Sequence, residues 1–164
     1  MRSWGGHQAL TLPQQHLFLN KNPIVQGEGG ITRGVLRWRV EVRPTPLSRS
    51  YVVRIEYKLG DSPDVFVEDP DIQLLAQDRE IPHVYRNPLR LCLYRPGLGQ
   101  WQASDRIDQT IVPWIFIWLY YFEDWLAFGD WKGGGMHPGD GTDIAPNRRE
   151  RRSRRGRQVG AALG

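Results

Sequence analysis

Alternation of apolar and polar residues predicts β-strands in the first half of the chain. Residues alternate with a period of two from Val35 to Val42 and again from Tyr51 to Leu59, as expected of half-buried strands. A shorter strand, Val65–Glu68, follows the turn at 60–63, and Asp69-Pro70 ends it. The short links between these three strands predict an antiparallel meander.

The segments around the meander differ in pattern. Near-helical spacing over Leu10–Asn20 predicts a short N-terminal helix. Gln26–Gly34 holds four glycines without a phosphate-loop motif, and we interpret it as a flexible connector. Asp71–Arg90 has no regular pattern and leads into an apolar run, Leu89–Tyr94, which contains Cys92. This run is predicted to be a short strand or an extended turn.

The dominant helix is predicted in the second half of the chain. Its body is Trp114–Phe128, with Pro113 in the first turn, where proline is tolerated, and Gly129 at the end. Asp105 or Asp108 is the expected N-terminal cap. The apolar part of this helix, from Ile111, is 12 residues long, whereas a membrane span needs about 20. We therefore interpret it as a buried helix and expect no membrane partner.

Length and composition predict one α+β domain. The chain has 164 residues, of which 40% are hydrophobic, enough for one core. We place the domain at residues 10–138, with a disordered N-terminus at 1–9. Residues 139–164 have almost no large apolar side chains, so a disordered basic tail is expected there.

The positive charge is concentrated in that tail. Seven arginines and one glutamate lie between Arg148 and Arg157, a net +6, which leaves −2 for the rest of a chain whose total is +4. A basic run can bind nucleic acid by counterion release, but no aromatic residue is interleaved for base stacking. We interpret the run as a solvated tail and do not expect nucleic acid as a ligand.

The single cysteine narrows the chemistry. One cysteine excludes an internal disulfide and a multi-cysteine zinc site, and it fits a reducing cytoplasm. We expect no metal and no cofactor. A lone cysteine flanked by Leu91 and Leu93 is more often a small buried hydrophobe than a nucleophile. The residues around it decide between the two interpretations.

Cys92 lies between Leu91 and Leu93, and Trp101, Ile107 and Ile111 follow it. This spacing and the order of elements resemble the ubiquitin-conjugating enzymes, in which the catalytic cysteine stands between apolar residues and a tryptophan and a helix follow it.

A larger set of segments carries a closer similarity: Pro82-His83-Val84-Tyr85, Leu91-Cys92-Leu93-Tyr94, Ile111-Val112-Pro113-Trp114, Trp118-Leu119, Glu123, Trp125-Leu126, Gly129-Asp130-Trp131 and His137-Pro138. These segments resemble a bacterial subgroup encoded in antiphage CBASS islands, the short type II kind without an adenylating domain.

This resemblance implies a ubiquitin-conjugating-enzyme fold and a transferase. Cys92 would accept the C-terminus of a cGAS-like nucleotidyltransferase (CD-NTase) from the same operon as a thioester, and would pass it to an unidentified acceptor protein. A thiolate suits this task because it attacks an activated acyl group and leaves readily when an amine attacks. The setting would be cytoplasmic antiviral defence.

The residues that would support Cys92 depart from the usual family pattern. Familiar members carry His-Pro-Asn ahead of the cysteine, and the nearest string here runs from Pro82 to Asn87. We place His83 at the site as an oxyanion donor or proton shuttle, with Asn87 as a possible supporting residue. The family also uses a carboxylate after the cysteine, and the candidates for that place are Asp124, Asp130 and, as an imidazole, His137.

Two other functions remain open on the sequence. A catalytically silent module of the same fold would only hold the nucleotidyltransferase. A cysteine hydrolase would use Cys92 with His83 or His137 to cleave the same linkage, and such enzymes need an imidazole close to the thiol.

Overall fold

The fold is a four-stranded antiparallel sheet with helices packed on one face. The computed structural model describes residues 8–95 and 98–134, and the predictions made for 1–7 and 135–164 lie outside these residues. The strands follow in sheet order β1-β2-β3-β4, so the sheet is a simple meander. Their bounds are β1 Gly27–Thr32, β2 Val35–Val42, β3 Tyr51–Lys58 and β4 Asp64–Asp69. The predicted α+β class is confirmed.

The inner face of the sheet follows the alternation in the sequence. Every second residue of β2 is buried, and β3 shows the same pattern. The buried side chains are Leu36, Trp38, Val40 and Val42 on β2, and Tyr51, Val53, Ile55 and Tyr57 on β3. The opposite face of these two strands is polar and half or fully exposed, so the core forms on one side of the sheet.

The predicted connector at Gln26–Gly34 is wrong, because most of it is strand β1. This strand pairs with β2 along its whole length, from Gly27 opposite Val40 to Thr32 opposite Val35. Its glycines allow a close approach: a Cβ on Gly29 would lie 2.0 Å from the carbonyl oxygen of Arg37. Glycine is needed here for space, and the predicted three-stranded meander becomes four-stranded.

Three helices and a small hairpin complete the fold. The N-terminal helix begins after Thr11, whose hydroxyl and whose backbone N–H both bond to Gln14 in a capping box. It lies within two residues of the predicted range. The elements are α1 Leu12–Lys21, α2 Ile72–Ala76, α3 Ile111–Phe128 and the strands β5 Val84–Tyr85 and β6 Arg90–Leu91, with a 3₁₀ turn at Ile107–Gln109 before α3.

The dominant helix was predicted at the right place but with the wrong cap. Gly129 ends it in the left-handed conformation, and its N–H donates to the carbonyl of Trp125. Asp108, however, is buried and bonded to Arg106 and Asn22, while Asp105 accepts from the N–H of Gln102. Both carboxylates therefore bond to other groups, and neither caps the helix.

Helix α3 supplies the other half of the core. With the preceding 3₁₀ turn it spans Ile107–Phe128, which by length and composition alone could cross a membrane, so the length argument from the sequence does not hold. The buried-helix interpretation rests on packing instead, because one side of the helix is buried in the core. The buried residues are Ile111, Val112, Ile115, Trp118, Leu119, Phe122 and Trp125.

A buried glutamine joins α1 to the segment before α3. Gln15 is fully buried; its amide nitrogen donates to the carbonyl of Asp105 at 2.7 Å, and its amide oxygen accepts from the N–H of Ile107 at 3.0 Å. The N–H of Leu10 also donates to the carbonyl of Ala103. These hydrogen bonds fix the N-terminal helix beside the start of α3.

Candidate active site

The β5–β6 hairpin positions Cys92. Val84 pairs with Leu91, and Cys92 follows directly after β6 at the open end of the hairpin. Its N–H donates to the carbonyl of His83 at 3.0 Å, which continues the antiparallel ladder by one pair. Strand β6 is in turn tied to the main sheet by the ion pair of Arg90 with Asp64, at 2.6 Å. Cys92 therefore follows a strand that is tied to the main sheet, and its own backbone N–H is hydrogen-bonded.

The thiol of Cys92 lies at the boundary between core and solvent. The residue is half-buried, whereas the preceding Leu91 is buried in the core. The sulfur lies 3.7 Å from the carbonyl oxygen of Tyr94, to which it donates a weak hydrogen bond. A nucleophile needs this combination of a fixed backbone and partial access.

His83 lies beside Cys92, as predicted. It is buried and has a positive φ of 52°, a conformation that few residues other than glycine adopt. Its carbonyl accepts two hydrogen bonds, from the N–H of Cys92 and from the indole N–H of Trp118 at 2.9 Å. Its ring packs on Trp131 with centroids 5.1 Å apart. The contact to Cys92 thus includes a backbone hydrogen bond, and a catalytic role for the imidazole stays a prediction.

Asn87 lies at the other end of the hairpin. The last paired residues are Tyr85 and Arg90, so Asn87 is in the turn beyond them, exposed and with a φ of 59°. Cys92 lies at the other end of the hairpin, two residues past Arg90, which is about 7 Å of extended chain from it. The structure therefore does not bring Asn87 up to the thiol in the way that the resemblance suggested.

The candidate carboxylates lie on and after α3. Asp124 pairs with Lys132 at 3.1 Å, and Asp130 is exposed just after the helix ends. The segment after the helix folds back, so that Trp131 contacts His83, Trp118 and Tyr121. It therefore runs past the His83 side of the site. His137 lies outside the described residues.

Tyr94 is a neighbour of Cys92 that the sequence interpretation did not assign. Its ring lies between Trp101 and Trp114, with centroids 6.4 and 5.6 Å away. Burial raises the pKa of the Tyr94 phenol, the Ser62 side chain opposes this, and the negative charges of Asp64 and then of Cys92 add to it. Tyr94 could have been assigned to the site from the sequence, since it follows the cysteine by two residues. An aromatic residue at this position is, however, also expected in a hydrophobic core.

The described part of the site holds a nucleophile, and no group of metal ligands is found there. Over 8–95 and 98–134, no three histidine, cysteine, aspartate or glutamate side chains are grouped so that they could hold a metal ion. This part of the chain brings together one thiol, one histidine and several aromatic rings. That set suits the transfer of an acyl group through sulfur.

Comparison with known proteins adds one match. A family model described as "Type II CBASS E2 protein" matches residues 15–138, which include Cys92 and every element from β1 to α3. No curated protein matches the chain.

Proposed function

The chain belongs to the type II CBASS E2 family, and from this premise we propose that Cys92 carries an acyl group as a thioester. The family makes the protein an E2-like component of antiphage defence. The observation that carries the proposal is the placement of the chain's single thiol, half-buried at the end of a hairpin whose backbone is bonded to the core.

The acyl donor is the C-terminus of a cGAS-like nucleotidyltransferase from the same operon. The Cys92 thiolate attacks the carbonyl carbon of an activated C-terminus, a sulfur–carbon bond forms, and the activating group leaves. An amine of the acceptor then attacks the same carbon, the sulfur–carbon bond breaks, and the thiol is regenerated. The activated C-terminus enters this step as a co-substrate.

The test is recovery of the adduct from cells that carry the native neighbouring genes. Tagged protein is run on a non-reducing gel beside a thiol-treated sample and the Cys92→Ala and Cys92→Ser variants. We expect a heavier band that thiol removes, that Cys92→Ala lacks and that Cys92→Ser retains as a thiol-resistant ester. Mass spectrometry of the band identifies the donor.

The outcomes distinguish an acyl carrier from a protein that only holds its partner. Loss of phage protection in Cys92→Ala, together with loss of the band, supports the carrier. Absence of any band with all neighbours present, and full protection by Cys92→Ala, contradicts it and leaves a protein that acts by holding its partner.

A further inference from the structure

The carbonyl of His83 is shared between the reactive hairpin and the core helix. It accepts the N–H of Cys92 at 3.0 Å and the indole N–H of Trp118 at 2.9 Å. The hydrogen bond to Trp118 is buried, and Trp118 itself is only 4% exposed. Cys92 is therefore connected to α3 through two consecutive hydrogen bonds that meet at one oxygen.

The backbone of His83 makes this connection from a strained conformation. Its φ is 52°, a value that a side chain disfavours. Such a conformation persists when the surroundings hold it. Here the surroundings include the two donors and Trp131, whose ring lies 5.1 Å from the His83 ring at a tilt of 38°.

Trp131 completes the hold from the segment after α3. Its ring lies 5.1 Å from that of His83 and 5.5 Å from that of Trp118. The following chain also passes close to this indole, since a Cβ on Gly133 would come within 2.6 Å of the Trp131 indole nitrogen. Trp118 and Trp131 thus contact each other, and both contact His83, one at its carbonyl and the other at its ring.

We propose that Trp118 and Trp131 are positioning residues for Cys92, which they fix through His83 for attack on the acyl carbonyl. This inference rests on the proposed acyl transfer. Neither residue has to touch the acyl group; each sets where the Cys92 backbone, and with it the sulfur, is held. Attack on a carbonyl is sensitive to such placement, and a shift of about 1 Å can lower a rate roughly a hundredfold.

The test uses a matched pair of variants, Trp118→Phe and Trp125→Phe. Both indoles lie on α3, are 4% and 5% exposed, and stack on Phe122. They differ in one contact: Trp118 donates a hydrogen bond to His83, whereas the Trp125 ring contacts Arg79. Purified full-length protein is treated with the thioester of a glycine-ended peptide, and Cys92 acylation is followed by intact mass. Alkylation by iodoacetamide is measured in parallel.

We expect Trp118→Phe to slow acylation about tenfold while alkylation is unchanged or faster, because the small reagent needs no fixed approach. Trp125→Phe should match the parent protein in both rates. A general loss of packing would affect the two variants alike. Equal acylation rates in the two variants would overturn the proposal.

Two further measurements keep the result decisive. If Trp118→Phe does not fold, Trp131→Leu replaces it, since that residue lies outside the helix, and the same split between acylation and alkylation is expected. If the parent protein accepts no acyl group, the proposed function fails, and hydrogen exchange at the Cys92 amide then tests positioning alone. Faster exchange in Trp118→Phe than in Trp125→Phe supports it, and equal exchange contradicts it.

Discussion

At the scale of single residues, His83 contacts Cys92 through its backbone. The family resemblance predicts a role for its imidazole, whereas the structure shows a positive φ and a carbonyl that accepts two N–H groups. The predicted role and the observed one make different demands on the amino acid. The carbonyl needs a residue that tolerates a positive φ, whereas proton transfer needs the imidazole.

The backbone contribution can be tested with His83→Gly and His83→Ala. Both remove the imidazole, but glycine adopts a positive φ freely and alanine does so at a cost of about 1 kcal/mol. We expect the glycine variant to be the more stable by about that amount in urea unfolding. An alanine variant of equal or greater stability would show that this φ is not maintained in solution.

The same two variants address the imidazole. A proton-transfer role predicts that both lose acyl-transfer or hydrolysis rate by about 10²- to 10⁴-fold at pH 7. Because both lack the ring, a difference between them would come from the backbone alone. Rapid alkylation of parental Cys92 at mildly acidic pH, lost in both variants, would favour the hydrolase over the carrier.

At the scale of elements, the sequence predicted those strands whose two faces differ. Strand β2 alternates between Leu36 or Trp38 and Arg37 or Arg39, so its period of two is visible. Strand β1 has no such contrast, because Gly27 and Gly29 stand where a Cβ would meet the backbone of β2 opposite. The sequence alone does not show which backbone lies opposite these glycines, so the strand was interpreted as a connector.

Two glycines of β1 give a direct test of that strand. Alanine at Gly29 would place a Cβ 2.0 Å from the Arg37 carbonyl oxygen, whereas alanine at Gly30 meets nothing within 4 Å. We expect Gly29→Ala to lower the free energy of unfolding by about 1–3 kcal/mol and Gly30→Ala to change it by less than about 0.5 kcal/mol. Equal effects in urea unfolding would mean that β1 does not pack as described.

The candidate site was predictable in part, for a related reason. Cys92 and His83 were found because a motif places them in neighbouring stretches of sequence, and the hairpin does bring them together. Asn87 was misplaced because the hairpin register, which sends it to the far turn, depends on the Val84–Leu91 pairing and not on distance along the chain. The hydrogen bond from Trp118 to His83 could not be predicted, since an indole on a helix is expected simply to fill a core.

At the scale of the whole molecule, one core joins the sheet to α3. The helix is apolar enough on composition to suit a membrane, yet one side of it is buried and another side is exposed. Ile115 is fully buried, whereas Ile117, two residues later, is 53% exposed. A helix packed against one sheet accounts for this division.

The division predicts unequal effects of the same substitution. Ile115→Ala should lower the free energy of unfolding by about 2–5 kcal/mol through the cavity that it leaves, whereas Ile117→Ala should change it by less than about 0.5 kcal/mol. Urea unfolding followed by tryptophan fluorescence measures both. Similar losses in the two variants would contradict the described packing of α3.

The buried amide of Gln15 has a consequence for the order in which the protein is made. Its two partners, Asp105 and Ile107, leave the ribosome about ninety residues later than Gln15 itself. A helix of ten residues is marginal in water without tertiary contacts. During synthesis α1 can meet β1 and β2 early, since His16 contacts Gly29 and Trp38, but the two hydrogen bonds of Gln15 must wait until the chain that leads into α3 has emerged. The first helix of the sequence therefore completes its buried contacts only after the sheet has been made.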